Sequence, residues 1–253
     1  MITHLPPHLG ELLPWELTEQ DNQNIADIVM QHGFKSSIWH VGPEGWTSMQ
    51  IRRPVRPEDR SQTYYGRFRP DIEWEWCSNP VTDIVRPIIE PLTQGLYHRI
   101  TRVVVLMVNP SVTLKMHRDP VPGHDYGMGP LDMASDVTDR TPNRYHDQNR
   151  YLAIKTAITT RQGDNGMPVL RLQDSAQEYR YDTWRRWFSL NEIEMIHGAR
   201  PVDHARGVLW IDGIINMQAY DALPREPIPV SPVPGETTVH SVFRDPVIPE
   251  SSA

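Results

Sequence analysis

The sequence lacks several features that would place it in a particular class of protein. It has a single cysteine, Cys77, so no disulfide can form within the chain, and a reducing compartment such as the cytoplasm is the simplest expectation. The formal net charge is -7, which argues against a nucleic-acid partner. No apolar run approaches the length that spans a bilayer, and the first residues lack the basic and apolar regions of a signal peptide. We therefore expect a cytoplasmic protein without a membrane partner; its oligomeric state is left open.

Apolar residues make up 38% of the 253 positions, which is enough for one sizeable core. The 24 prolines favour loops, edge strands and irregular segments over a long helical bundle. Proline is dense in the last part of the chain. We therefore interpret residues 216–253 as an extended, proline-rich tail.

Residues 1–99 carry signals for helices and for one hairpin. Residues 18–33 combine an N-cap signal, apolar residues at helical spacing and a glycine at the end. Strand patterns at 37–41 and 46–51 flank a turn of glycine and proline, which predicts a hairpin. Residues 81–96 also show helical spacing, although two prolines interrupt it. We expect this region to pack on one sheet of the core.

From residue 100 the pattern changes to short strands separated by turn signals. These strands are expected at 101–108, 112–116, 151–160, 169–172, 179–181, 186–188, 192–196 and 207–211. Such a series predicts a mainly β core over 100–215, an antiparallel sandwich or barrel of the jelly-roll (double-stranded β-helix) kind. Residues 120–149 form a long insertion, which is typical of a lid or a binding loop.

The most informative motif is His117-Arg118-Asp119, which directly follows the second of these strands. Residues two apart in an extended strand point to the same side, so His117 and Asp119 are able to reach one metal ion. A further histidine, His197, comes before another apolar strand, and Arg206 stands at the start of that strand. Two histidines and one carboxylate, with open positions opposite them, suit non-haem Fe(II). The alternative for the motif is a surface group with local charge pairing.

Residues 109–119, taken with His197, Arg206 and Asp212, resemble the Fe(II)/2-oxoglutarate-dependent oxygenase superfamily. The likeness is greatest to its aspartyl/asparaginyl β-hydroxylase-like branch, which includes bacterial proline hydroxylases. In that branch a histidine is followed about ten residues later by an arginine and then by an apolar strand that ends in aspartate. Here Arg206 follows His197 by nine residues, and Asp212 follows Arg206 by six. The resemblance covers about residues 100–215.

The resemblance implies a complete set of roles. His117, Asp119 and His197 would be the iron ligands, and Arg206 would bind the distal carboxylate of 2-oxoglutarate through its planar guanidinium. With Fe(II), 2-oxoglutarate and O₂, the expected reaction is hydroxylation of an aliphatic C–H bond, with release of succinate and CO₂. The expected substrate is a free amino acid, a peptidyl residue or a related small molecule.

Two residues in this assignment have alternatives. His204 competes with His197 as the third ligand, but it stands only two residues before Arg206. On one strand face the two would leave too little room for a five-carbon diacid, so we prefer His197. Relatives often carry an Arg-x-His pair on the strand after the insertion. In this sequence Lys155 takes that place, either as a charge beside the cosubstrate or as an outward-facing lysine.

Two other classes of function fit the same sequence. One is a cupin-type metalloenzyme that does not use 2-oxoglutarate, for which Arg206 would be dispensable. The other is a non-catalytic β-sandwich binding module, in which the triad residues never meet.

Overall fold

The computed structural model describes residues 2–38, 42–62, 72–117, 151–172, 177–192 and 195–234. Over these ranges the chain is mainly β, with two 14-residue helices and shorter helical turns. In chain order the elements are β1 (Gly10–Glu16), α1 (Glu19–His32), β2 (Phe34–Ile38), β3 (Gly42–Pro54), the 3-10 helix Pro57–Gln62, β4 (Trp74–Trp76), α2 (Pro80–Thr93), β5 (Tyr97–Val108), β6 (Leu114–His117), β7 (Tyr151–Thr159), β8 (Pro168–Arg171), β9 (Glu178–Tyr181), β10 (Arg186–Leu190), β11 (Ile196–Ala199), β12 (Arg206–Ile215), α3 (Met217–Asp221), β13 (Glu226–Pro227) and β14 (Val230–Pro232).

The strands form two antiparallel sheets that pack as a sandwich. The large sheet has the order β13-β1-β10-β7-β12-β5-β3-β2, with β4 paired to β3. The small sheet has the order β14-β9-β8-β11-β6. A core cluster that includes Leu170 of the small sheet and Phe188 of the large sheet joins the two. The mainly β fold predicted by the run of short strands is confirmed at this level.

The eight strands from β5 to β12 pair in a nested order. The first pairs with the last, β5 with β12, and the second with the second-last, β6 with β11. In the same way β7 pairs with β10, and β8 pairs with β9. Residues far apart in sequence, such as the ends of β6 and β11, are thereby brought side by side.

Strand β12 lies in the middle of the large sheet and has two different faces. Leu209, Ile211 and Ile215 belong to the core cluster that includes both long helices. Val208 packs instead against the cluster between the two sheets. Because side chains alternate along a strand, Arg206, Trp210 and Asp212 are on the same side as Val208. We call this side the inner face of the large sheet.

The first predicted helix is confirmed as α1. The Thr18 hydroxyl accepts a hydrogen bond from the Asp21 N–H at 3.0 Å, which caps the first turn. Gly33 ends the helix and donates its N–H to the Val29 carbonyl at 2.7 Å. Ile25 and Val29, four residues apart, are fully buried against the large sheet.

The second helix, α2, is continuous through Pro87 and Pro91, which the sequence pattern treats as interruptions. These prolines are four residues apart and lie on the exposed face, where water can satisfy the carbonyls that lose an N–H partner. The opposite face buries Val81, Val85 and Ile89. Packing of this apolar stripe therefore offsets the cost of the two prolines.

Other local predictions differ from the structure in their bounds. The hairpin is present as β2 and β3, although residues 39–41 lie outside the described ranges. The strand predicted at 192–196 is wrong: β11 runs over Ile196–Ala199, so His197 lies within it. Strand β1 had no sequence prediction. In the proline-rich tail, β13 pairs with β1 and β14 pairs with β9, so each sheet gains an edge strand there. No helix in the described part is long and apolar enough to cross a membrane.

Candidate metal centre

Two of the predicted metal ligands lie side by side on the small sheet. His117 and His197 are direct partners in the antiparallel pairing of β6 with β11. The side chains of directly opposed residues emerge on the same face of a sheet. Here the ring centroids are 4.4 Å apart, and each residue is only 6% exposed. The nested strand order therefore brings together two histidines that are 80 positions apart in sequence.

Both imidazoles are oriented by main-chain carbonyls. The Nδ1 of His117 lies 2.7 Å from the Lys115 carbonyl oxygen, and the Nδ1 of His197 lies 3.4 Å from the Met195 carbonyl oxygen. A carbonyl only accepts, so a proton on Nδ1 suits both contacts, and Nε2 is then the atom of each ring that would bind a metal. At His197 a second acceptor, Glu192 Oε1, lies 3.4 Å from Nε2.

The third predicted ligand, Asp119, and the insertion 120–149 lie outside the described residues. Among the residues that are described, no three His, Cys, Asp or Glu side chains come close enough together to hold a metal ion. The donor chemistry of the histidine pair fits a divalent metal, and one more donor is required. The assignment of Asp119 to that position remains a prediction.

The competing histidine, His204, is not on a strand. It lies between β11 and β12, because β12 begins only at Arg206. Its Nδ1 is 2.9 Å from Asp203 Oδ1, and its buried Nε2 has no hydrogen-bond partner among the described atoms. The strand-face geometry used to compare it with His197 therefore does not apply, whereas His197 has His117 as its direct neighbour.

Arg206 is almost completely buried, at 2% exposure, on the inner face. Its Nη1 donates to the carbonyls of Val108 and Asn109 at 3.5 and 3.2 Å, and its Nη2 donates to those of Val112 and Arg200 at 2.6 and 3.0 Å. Burial lowers the pKa of the guanidinium to about 10.

The charge of Arg206 has no carboxylate partner within the described ranges, and its buried Nε has no hydrogen-bond partner there. An uncompensated buried cation with an orphan donor fits an anionic group. The four carbonyl contacts hold the plane of the guanidinium and leave Nε as its one donor without a partner among the described residues.

Gly166 holds the aliphatic part of Arg206 in place. It has a φ of +77°, and a Cβ added to it would lie 2.3 Å from the Arg206 Cγ. Glycine is therefore required both for the backbone conformation and for the close approach. The direction of the Arg206 side chain depends on this contact.

Lys155 points inward and is 4% exposed. Its ammonium pairs with Glu192 Oε2 and lies 3.5 Å from the centroid of the Trp210 ring. The other oxygen, Glu192 Oε1, is 3.4 Å from His197 Nε2. Burial, followed by the charge of Glu192, raises the pKa of the Tyr181 phenol. Of the two sequence readings of Lys155, the outward-facing lysine is thus wrong, whereas contact with a cosubstrate remains a prediction.

A second buried ion pair adjoins Lys155 on the inner face. Arg102 Nε donates to Asp212 Oδ2 at 2.8 Å, and the two side chains are 4% and 0% exposed. The Arg102 guanidinium lies 4.4 Å from the centroid of the Trp210 ring, and Trp210 Nε1 donates to Asp212 Oδ1 at 2.8 Å. Two cations therefore contact the same indole.

The sequence pattern does not single out Arg102 or Glu192. A signal for Arg102 is present, because it directly precedes the apolar run 103–108 and shares its strand face with Val104 and Leu106. Glu192 had no such signal. Its position depends on the bend after β10, where the Asn191 N–H bonds to the Leu9 carbonyl at 2.8 Å.

No protein-family model matches the chain, and no curated protein matches it. Among solved structures, a collagen prolyl hydroxylase of Paramecium Bursaria Chlorella virus-1, in complex with 2-oxoglutarate, is similar over 81% of this chain and 97% of its own, with 12% identity and a TM-score of 0.39. A prolyl-4-hydroxylase of Pseudomonas putida is similar over 83% of this chain and 93% of its own, with the same identity and TM-score. Likeness at this level carries no argument about this chain, whose own residues have to support any function.

Proposed function

We propose that this chain is an Fe(II)- and 2-oxoglutarate-dependent oxygenase that hydroxylates an aliphatic C–H bond of an amino acid, a peptidyl residue or a related small molecule. The observation that carries the proposal is the direct pairing of His117 with His197 inside a β-sandwich. The nested pairing of β5 to β12 supports a jelly-roll core, in which the second and second-last strands are neighbours. That pairing is why the two histidines meet.

In this proposal His117 and His197 hold the iron through Nε2, and Asp119 supplies the carboxylate. Bound iron would activate O₂ at the expense of 2-oxoglutarate. The residues of the protein would bind the cosubstrate and the substrate, orient them at the metal and exclude water. The main-chain carbonyls at Nδ1 orient both rings and leave Nε2 for the metal.

We assign the distal carboxylate of 2-oxoglutarate to Arg206. Lys155 and Arg102 are each paired with a carboxylate, Glu192 and Asp212. Of these three inner-face cations, Arg206 is the one whose partners among the described residues are all carbonyls, and we therefore assign the dianion to it. Burial makes that charge effective because few water molecules compete with the carboxylate.

A metalloenzyme that does not use 2-oxoglutarate is the second candidate, and one observation favours it. All four Nη protons of Arg206 have carbonyl acceptors, which leaves only Nε for a cosubstrate. In that case Arg206 is a brace that joins β12 to the turn after β5.

The test uses spectroscopy of the cosubstrate complex without oxygen. Fe(II) and 2-oxoglutarate are added to the protein under anaerobic conditions, and the visible charge-transfer band of the iron chelate is measured. We expect the band in the wild type and its loss in His117→Ala and His197→Ala. His204→Ala is the matched control, because His204 is also a buried histidine, and it should keep the band.

Three results would contradict parts of the proposal. Absence of the band in the folded wild type rejects the oxygenase. A band that survives in His117→Ala rejects the metal assignment. Metal binding with no dependence of 2-oxoglutarate affinity on Arg206→Ala favours the second candidate. A non-catalytic module predicts no tight binding of Fe(II) at all.

A further inference from the structure

The Lys155–Glu192 pair has no role in the proposed function, although it reaches the histidine pair. Glu192 uses its two oxygens separately: Oε2 contacts the Lys155 ammonium, and Oε1 is 3.4 Å from His197 Nε2. Lys155, Glu192 and His197 are between 4% and 6% exposed. The carboxylate is therefore held beside Nε2, the nitrogen of His197 that the proposed function assigns to the metal.

This position puts the carboxylate next to any ion that His197 binds. A metal ion is bound about 2 Å from an imidazole nitrogen, so it would lie no more than roughly 5.5 Å from Glu192 Oε1, whatever its direction. Because no three candidate donors in the described part are close enough to share an ion, we treat Glu192 as a neighbour of the centre and not as a ligand.

The Lys155 ammonium is a buried positive charge that the Glu192 carboxylate neutralises. It is buried against Trp210, and Glu192 is the carboxylate that lies between this charge and His197. A buried charge pair is itself a weak source of stability, since desolvation of both groups offsets their attraction. Stability alone therefore does not account for this pair beside the histidines.

We propose that Glu192 is a positioning residue of the metal centre: its carboxylate neutralises Lys155 and favours the binding of a divalent cation at His117 and His197. The inference rests on the metal site of the proposed function and does not depend on binding of 2-oxoglutarate. It predicts effects of opposite sign for the two members of one ion pair, because the cation is attracted by Glu192 and repelled by Lys155.

The experiment measures the dissociation constant of Co(II) by anaerobic titration without cosubstrate, followed through the visible absorption of the bound ion. We expect Glu192→Gln to weaken binding by about 10- to 100-fold, the usual effect of losing a group next to the ligands. Lys155→Met should tighten binding by about 3- to 10-fold, since it removes a buried positive charge on the far side of Glu192 from His197. Glu192→Asp keeps the charge and should restore most of the affinity.

The matched control is Glu178→Gln. Glu178 is also a largely buried carboxylate in an ion pair, with Arg171 and Arg200, on β9 of the small sheet. It should leave the Co(II) affinity within about twofold of the wild type, because its ion-pair partners, Arg171 and Arg200, are not candidate ligands. The unfolding transition of each variant, measured by circular dichroism, identifies any variant that does not fold. If Glu192→Gln does not fold, Glu192→Asp and Lys155→Met still show whether each charge raises or lowers the Co(II) affinity.

The outcomes separate this inference from the proposed function. If the wild type binds no Co(II), the metal site itself is rejected, and the inference with it. If the wild type binds Co(II) but Glu192→Gln and Lys155→Met weaken binding alike, the pair is only structural and the inference alone is overturned. An affinity that does not change in Glu192→Gln also overturns it.

Discussion

The two faces of strand β12 are both largely buried but chemically different. On the helix side, Leu209 and Ile211 are 0% exposed in an apolar core. On the inner face, Arg206 and Asp212 are 2% and 0% exposed. Alternate residues of one strand therefore meet two different surroundings, one apolar and one with buried charges.

The two faces are expected to contribute differently to the free energy of unfolding. Each fully buried aliphatic side chain on the helix side stabilises the fold by roughly 1.5–3 kcal/mol. Each charge on the inner face loses its hydration, and pairing offsets that loss only in part. We infer that the helix side holds the sheet and that the inner face is kept polar for binding. The predictions below test that division through the free energy of unfolding.

The largest effect is expected when one member of an inner charge pair is removed. Asp212→Ala leaves Arg102 buried without its carboxylate, and Trp210 Nε1 also loses its acceptor. We expect the free energy of unfolding, measured in guanidinium chloride, to fall by about 3–5 kcal/mol.

The double variant Arg102→Met/Asp212→Leu is its control. With both charges gone, the loss should be clearly smaller than for Asp212→Ala. A double variant as unstable as the single one would mean that packing, and not charge, dominates the inner face.

A smaller effect is expected on the helix side. Ile211→Ala removes a fully buried side chain from the cluster under α1 and α2 and should lower the free energy of unfolding by about 2–4 kcal/mol. The Co(II) affinity of the folded variant should not change, because Ile211 points away from the histidine pair. A change in metal affinity as large as that of Glu192→Gln would contradict the conclusion that only the inner face takes part in binding.

Gly166→Ala tests whether close packing against Gly166 is needed to hold the Arg206 side chain on the inner face. The new methyl group would have to occupy the space of the Arg206 side chain, at a backbone φ that alanine rarely adopts. We expect a loss of about 1–3 kcal/mol in unfolding free energy and weaker binding of 2-oxoglutarate, measured by calorimetry with Mn(II) present. Unchanged binding of 2-oxoglutarate would indicate that the direction of Arg206 does not matter for it.

The smallest effect is expected for an ion pair at the surface. Arg161 and Asp203 are 3.0 Å apart, but their side chains are 57% and 79% exposed. Arg161→Gln should change the free energy of unfolding by less than about 0.5 kcal/mol, because water and salt screen the pair. A loss comparable to that of Asp212→Ala would show that burial is not what separates the two classes of charge.

Several elements could be predicted because their signals are local. The cap at Thr18, the apolar spacing of α1 and the apolar run of β5 all act over a few residues, and the structure has these elements. Helix α2 shows the limit of local rules. Its prolines indicate a break, whereas packing of Val85 and Ile89 keeps the helix continuous.

The candidate site was predictable only in part. Period 2 and residue type predicted His117 and Asp119 as a possible pair of ligands, and the family resemblance then assigned the roles of His197 and Arg206. The partners of those residues were not predictable. Glu192 reaches His197 because the chain bends after β10, and the carbonyls around Arg206 come from the turn after β5 and the end of β11.

The sequence by itself determined the alternation of each strand, the ends of α1 and the residue types that suit a metal centre, since these depend on neighbours along the chain. Tertiary structure decided which histidines meet, which cations have carboxylate partners and which face of β12 is charged. The physical reason is that β-pairing joins residues about a hundred positions apart. Their hydration, charge and burial are set by neighbours that no local pattern contains.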